Sequence, residues 1–161
     1  MAIEKGQRLP AATMLRMGEK GPEKVDLGQR LKGRRVVFFG LPGAYTGTCS
    51  TVHMPSFIRT AEKFRQKGVD EIICVAVNDP FALKAWGEAT GAAAAGITLL
   101  GDSDGAFTRT LGMAFDAPAI GLFGRSNRYA AIVDDGVVTH VQIDKPGECS
   151  ISTGEALLEA V

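Results

Sequence analysis

The sequence predicts an α/β fold in which a mixed central sheet is flanked by helices on both faces. Three observations carry that prediction. Short apolar runs at Arg35–Gly40, Glu71–Val77 and Ile97–Leu100 read as buried strands. Segments of helical spacing separate these runs, so strand and helix alternate as in a parallel βαβ arrangement. Further along, two strand-like runs flank Asp134-Asp135-Gly136, and the Asp-Gly step is the signal of a tight hairpin.

The elements follow in order. Residues Thr13 to Asp26 are expected to add a hairpin ahead of the first buried strand. Arg35–Gly40 is continuously apolar after Arg35 and bounded by Gly33 and Gly40. Thr48 to Lys67 has helical character, with Phe57, Ile58, Ala61 and Phe64 on one face. Pro55 is expected to kink it, since proline offers no amide donor inside a helix. After the second strand, Asn78-Asp79 can cap a helix through Leu83, Trp86 and Ala89. Gly91–Gly96 reads as the end of that helix and a turn. Asp104 precedes a short helix containing Phe107 and Leu111. Arg128–Val133 and Val137–Ile143 pair as the late hairpin, and Ser152 is expected to cap a last helix with Leu157 and Leu158 inward. Parallel βαβ units first and an antiparallel hairpin next fit a thioredoxin-like core.

With 161 residues and neither repeat nor linker, the chain reads as a single domain over 1–161. Folding at that length buries roughly 70% of the unfolded chain's surface. Lys+Arg and Asp+Glu both number 18, so no basic stripe argues for nucleic acid. No apolar run approaches the ~20 residues of a membrane helix. Met1 to Gly6 lacks an apolar signal core, and the expected location is cytoplasmic. The three cysteines, Cys49, Cys74 and Cys149, form no disulfide framework. Two histidines without a tight Cys/His cluster argue against a structural metal site. Free cysteines in a reducing compartment are core filler or redox groups.

The informative segment is Leu41-Pro42-Gly43-Ala44-Tyr45-Thr46-Gly47-Thr48-Cys49-Ser50, which follows a buried strand and opens a helix. Unpaired amides and partial positive charge at a helix start favour a thiolate in the first turn. They can also hold an oxygen that develops negative charge. Pro42, Gly43 and Gly47 shape an irregular loop, and Thr46 and Thr48 bring hydroxyls beside the sulfur.

Pro42-x-x-x-Thr46-x-x-Cys49 resembles the active-site signature of peroxiredoxins. The longer string from Pro42 to Ser50, with His53 and Pro55 behind it, is similar to the type II, or peroxiredoxin-five, branch. Similar too are Val77-Asn78-Asp79-Pro80-Phe81 with Trp86, Gly101-Asp102, Gly105-Ala106-Phe107, and Arg125-Ser126-x-Arg128-Tyr129. The resemblance runs in order through nearly the whole chain. It implies a thioredoxin-like fold and a thiol peroxidase that reduces hydrogen peroxide and organic hydroperoxides through a sulfenic acid at Cys49. It assigns Cys49 as the nucleophile and Thr46 as a hydroxyl bonding the thiolate or the peroxide. Pro42 would shield the sulfur, and Arg128 would lower the thiolate pKa and steady the leaving oxygen. Arg125 is a second candidate that could pair with an acid and brace the loop. His53, on the same helix face as Cys49, is expected to pack or hydrogen-bond near the site rather than act as a base. Trp86 and Tyr129 are expected in the core or an interface.

Oxidised Cys49 must then be recovered by a thiol. Cys149, external glutathione with glutaredoxin, and thioredoxin all qualify, and Cys74, within a buried strand, ranks last. The resemblance implies no cofactor and a homodimer with contacts near the active-site loops. A redox sensor or holdase on the same fold is the alternative function. A disulfide oxidoreductase is disfavoured because no Cys-x-x-Cys occurs.

Overall fold

The computed structural model describes residues 2–161. β1 (Thr13–Gly18) and β2 (Gly21–Asp26) form the expected N-terminal hairpin. A short helix the sequence did not suggest, α1 (Leu27–Leu31), follows at once, with Asp26 accepting from the Gln29 amide at its N-terminus. The core then runs β3 (Arg35–Gly40), α2 (Met54–Gln66), β4 (Glu71–Ala76), α3 (Pro80–Thr90), β5 (Thr98–Gly101) and α4 (Ala106–Thr110). A second unforeseen element is the separate two-stranded ribbon of β6 (Ala114–Ala117) and β7 (Leu122–Ser126). The hairpin β8 (Tyr129–Asp134) and β9 (Val137–Ile143) and the terminal α5 (Gly154–Glu159) complete the chain.

The seven-stranded sheet has the order β2-β1-β5-β4-β3-β8-β9. β3, β4 and β5 are mutually parallel, while β8 returns antiparallel to β3. Two successive crossovers of one hand place α2 and α3 on the same face. Side-chain alternation along the strands separates the two cores. Val37 and Phe39, Ile72 and Cys74, and Ala130 and Ile132 face α2, α3 and α5. Val36, Phe38, Ile73, Val75 and Tyr129 face α1 and α4. Phe57 of α2 stacks on Phe39 with ring centroids 3.9 Å apart. Burying a side chain of this size contributes about 2–3 kcal/mol. Trp86 and Tyr129 are both core residues, whereas Ala89 of the same helix as Trp86 faces solvent.

At the far end of the sheet from the Cys49 loop, Glu71 accepts from Arg30, Arg34 and the Thr98 hydroxyl. Burial alone would raise its pKa, but these hydrogen bonds hold the carboxyl below its ordinary value. The Asp134-Asp135-Gly136 turn has Asp135 at φ 47° and Gly136 at φ 80°, the left-handed pair that a two-residue hairpin turn requires. Thr153, not Ser152, caps α5 by accepting from the Ala156 amide. Ser152 is instead buried and turned toward His53 and Asp144. No helix among the described residues is long and apolar enough to cross a membrane.

The expected kinked helix over Thr48–Lys67 is resolved differently. Residues Cys49–His53 form a single π-helical turn, closed by the Met54 amide donating to the Cys49 carbonyl, and α2 starts where that turn ends. Pro55 therefore stands in the first turn of α2, just after the π turn, within a helical path that continues from Gly47.

Candidate active site

The topology gathers one corner of the molecule. Gly40 at the end of β3 pairs with Tyr129 at the start of β8, and Tyr129 pairs with Ile143 at the end of β9. The Cys49 loop, Arg128 and Asp144 therefore leave the sheet side by side. Two bonds shape the loop. The Ala44 amide donates to Asn78 Oδ1 at 2.9 Å, and Arg125 Nη1 donates to the Pro42 carbonyl at 3.0 Å. Gly43 adopts φ 153°, and a Cβ there would collide with Arg125 Nη1, so the close approach of the arginine requires glycine. Arg125 thus braces the loop through a carbonyl, and it makes no ion pair with an acid among the described residues.

Cys49 is fully buried in the π-helical turn. Arg128 Nη1 donates to Cys49 Sγ at 3.4 Å and lies 3.1 Å from His53 Nδ1. A guanidinium can only donate, so Nδ1 must be the accepting nitrogen and the ring proton sits on Nε2. There it donates to the Ser152 carbonyl at 2.9 Å. The ring is wedged against Phe39 and Phe57, with centroids 5.2 and 5.5 Å away. Burial in this apolar wedge, and then the Arg128 charge, hold the His53 pKa down to about 3. His53 is accordingly a neutral acceptor that fixes Arg128. It is no proton acceptor at neutral pH, because its only basic nitrogen is already taken.

Thr46 occupies the loop, but its hydroxyl donates to the Gly43 carbonyl at 2.8 Å. It makes no bond to the sulfur and offers an approaching peroxide its lone pairs. Ser50, next to the cysteine, accepts from Trp86 Nε1 at 2.9 Å, which ties the π turn to α3. A cleft of about 50 Å³ opens beside the site, lined by Pro42, Phe115, Arg128, Pro146 and Gly147 among others. A larger groove between β1, α3 and β5, lined by Arg16, Lys84 and Leu99, lies away from the cysteine.

Asp144 was not singled out by sequence, since a lone acid after a strand carries no pattern. Its carboxylate accepts from the amides of Ser150, Ile151 and Ser152 and from the hydroxyls of Ser150 and Ser152. Burial would raise its pKa, but these donors outweigh burial and hold it below the carboxylate range. Cys149 is half-buried in the same turn. Burial pushes its thiol up, while the nearby Arg128 charge opposes that. Cys74 lies fully within β4, between Phe39 and Leu99 in the sheet register, and burial pushes its thiol well up.

His53 makes stability depend on pH, and the sign is definite. The unfolded ring titrates near its ordinary 6.5 and the folded one at about 3, so between those values the unfolded chain holds more protons. The stabilisation is complete above about pH 6.5 and is lost as pH falls toward 3. Lowering pH from about 6.5 to about 4.5 should cost about 2 kcal/mol of unfolding free energy. The lowered carboxylates of Glu71 and Asp144 act in the same direction, but only below about pH 4. Urea unfolding across this range checks it. The variant His53→Gln, which neither titrates nor lacks a donor and acceptor, should show a flat profile down to about pH 4.5. A slope equal to that of the parent would assign it to another group.

The Redoxin family model matches residues 4–158. The mitochondrial Peroxiredoxin-2F of Arabidopsis thaliana is 46% identical over 133 residues, 82% of this chain and 66% of that protein's length. The chain thus spans about two thirds of that relative. Among solved structures, reduced Prx3 of Vibrio vulnificus in complex with hydrogen peroxide superposes with a TM-score of 0.92. It is 41% identical, with 98% of both chains covered. Peroxiredoxin 5 of Alvinella pompejana superposes at 0.84 with 30% identity, over 98% of this chain and 97% of that one.

Proposed function

The chain belongs to the redoxin family and within it to the peroxiredoxins, consistent with the type II branch, and from that premise we propose that Cys49 is the nucleophile of a thiol peroxidase. The observation that carries this reading is the single Arg128 nitrogen placed 3.4 Å from Cys49 Sγ and held there by a neutral histidine. Cys49 attacks one oxygen of a hydroperoxide. The S–O bond forms as the O–O bond breaks, sulfur gives up two electrons, and the leaving oxygen takes a proton to become water or an alcohol. Arg128 faces both the sulfur and the cleft, so its fixed positive charge stabilises the thiolate and then the departing oxygen. Pro42 closes the cleft beside it, and Thr46 accepts the proton-bearing end of the peroxide.

A thiol then condenses with the sulfenic acid, releasing water and forming a disulfide. Cys149 lies in the same corner, half-buried, and is one source. Glutathione with glutaredoxin, or thioredoxin, supplies the other. Cys74 is sealed inside the sheet and is assigned no part. The test is peroxide consumption with thiol reductant in excess, with mass spectrometry of the treated protein. Sustained turnover is expected, with either a Cys49–Cys149 bridge or a glutathione adduct on Cys49. A single stoichiometric oxidation would instead indicate a redox sensor.

We propose further that two copies pair near the active-site loops. Tyr45 (60% exposed), Phe81 (64%), Ile120 (73%) and Phe123 (66%) are large, apolar and uncovered. They sit on segments joined by the Ala44–Asn78 and Arg125–Pro42 bonds. Light scattering at micromolar concentration should give twice the chain mass, and a mass of 17.0 kDa would contradict it.

A further inference from the structure

We propose that Asp144 is a positioning residue for this site, acting on Arg128 through the turn at 150–152, the Ser152 carbonyl and the His53 ring. The inference rests on the assignment of Cys49 and Arg128 above. Four residues form a closed circuit of hydrogen bonds. The Asp144 amide donates to the Arg128 carbonyl at 3.1 Å. Arg128 Nη1 meets His53 Nδ1 at 3.1 Å, and His53 Nε2 meets the Ser152 carbonyl at 2.9 Å. The Ser152 amide returns to Asp144 Oδ2 at 3.0 Å, joined by the Ser152 hydroxyl. Asp144 thereby holds Arg128 at two points, directly at its backbone and indirectly at its guanidinium.

The circuit requires a carboxylate. Asp144 is only 4% exposed, and three amides and two hydroxyls converge on it. Two ionised oxygens offer about four lone-pair sites and no hydrogen, which suits so many donors. An amide of the same size would set its own N–H groups against them and leave buried donors unpaired. The turn would then shift, and the Ser152 carbonyl would no longer fix the proton on Nε2. Nδ1 would cease to be a dependable acceptor, and Arg128 would lose the bond that aims it at the sulfur. Small displacements of a charged group at a reacting centre are costly even when their origin lies away from it.

The variant Asp144→Asn should oxidise Cys49 about tenfold more slowly in stopped flow with hydrogen peroxide, a scale set by misplaced catalytic geometry. Nitrogen-15 spectra of the His53 ring should change from one tautomer, protonated at Nε2, to a mixture. In a His53→Leu background, Asp144→Asn should slow oxidation no further, because the connection is already cut. Wild-type oxidation by Asp144→Asn, an unchanged tautomer, or full slowing in the His53→Leu background would each overturn the proposal. Should Asp144→Asn fail to fold, Ser152→Ala removes one donor and keeps the turn's backbone. It should show the same changes to a smaller degree, and a wild-type rate and tautomer there would also overturn it. The tautomer measurement needs no peroxide chemistry. If Cys49 is not the nucleophile, the parent protein will show no Cys49 oxidation while the ring spectra still report on the circuit.

Discussion

Replacing Cys49 with serine should abolish peroxide turnover while leaving the fold in place. The two side chains are nearly the same size, so the buried space in the π-helical turn is kept. The chemistry is not kept. Serine's hydroxyl is hardly ionised at neutral pH and attacks an O–O bond poorly, even with Arg128 poised beside it. The expected fall is at least ~10,000-fold, the scale on which removing a covalent nucleophile acts in other enzymes. Peroxide consumption with excess thiol reductant measures it, with circular dichroism as the control for folding. Near-native turnover by Cys49→Ser would sink the assignment. Cys149 would then be the next cysteine to test, since Cys74 is sealed in β4.

The second large effect is expected from Arg128→Lys, which keeps the charge and discards the planar fork. One nitrogen of Arg128 faces both Cys49 Sγ and His53 Nδ1, and the rest of the group borders the cleft. A lysine ammonium is a compact, strongly hydrated point charge on a flexible stem, and it is not held between the sulfur and the imidazole as the rigid planar guanidinium is. The expected loss is about 100-fold in the second-order rate of Cys49 oxidation, typical of removing one preorganised donor. Stopped flow measures it directly. The fold should survive, because Arg128's contact with Asp144 is made by its backbone carbonyl. An unchanged rate would shift the role to another cation. Arg125 is the nearest in sequence, although its Nη1 is committed to the Pro42 carbonyl.

How far the sequence reached depended on whether a feature has a local signature. Arg35–Gly40 was legible to the residue because both faces of β3 are buried, which makes the run continuously apolar. The late hairpin was legible because Asp135-Gly136 can adopt the left-handed turn that few other pairs accept. The ribbon of β6 and β7 was not, because its strands are short and mostly only partly buried, so no apolar run marks them. The π turn was missed for another reason. It is held from outside, by Arg128 at Cys49 and His53 and by Trp86 at Ser50. The choice of Ser152 over Thr153 as the last cap failed because neighbouring hydroxyls are equivalent until Asp144 claims one of them.

The resemblance to peroxiredoxins, carried by Arg125-Ser126-x-Arg128-Tyr129, is what pointed to Arg128. By itself, the sequence determined the α/β class and the placement of Cys49 at a helix start behind a buried strand. These follow from short-range pattern: hydrophobic period, turn chemistry and residue spacing. Only the tertiary structure decided what state the neighbours of the sulfur adopt. His53 is neutral because Phe39 and Phe57 exclude water from it and Arg128 occupies its free nitrogen. Thr46 gives its proton to Gly43 rather than to the sulfur because the loop folds back on itself. Asp144 enters the site because strand pairing brings the end of β3, the start of β8 and the end of β9 to one corner, although it lies 95 positions from the cysteine in sequence. Burial and hydrogen-bond partnership are properties of that packing, and no local string of residues encodes them.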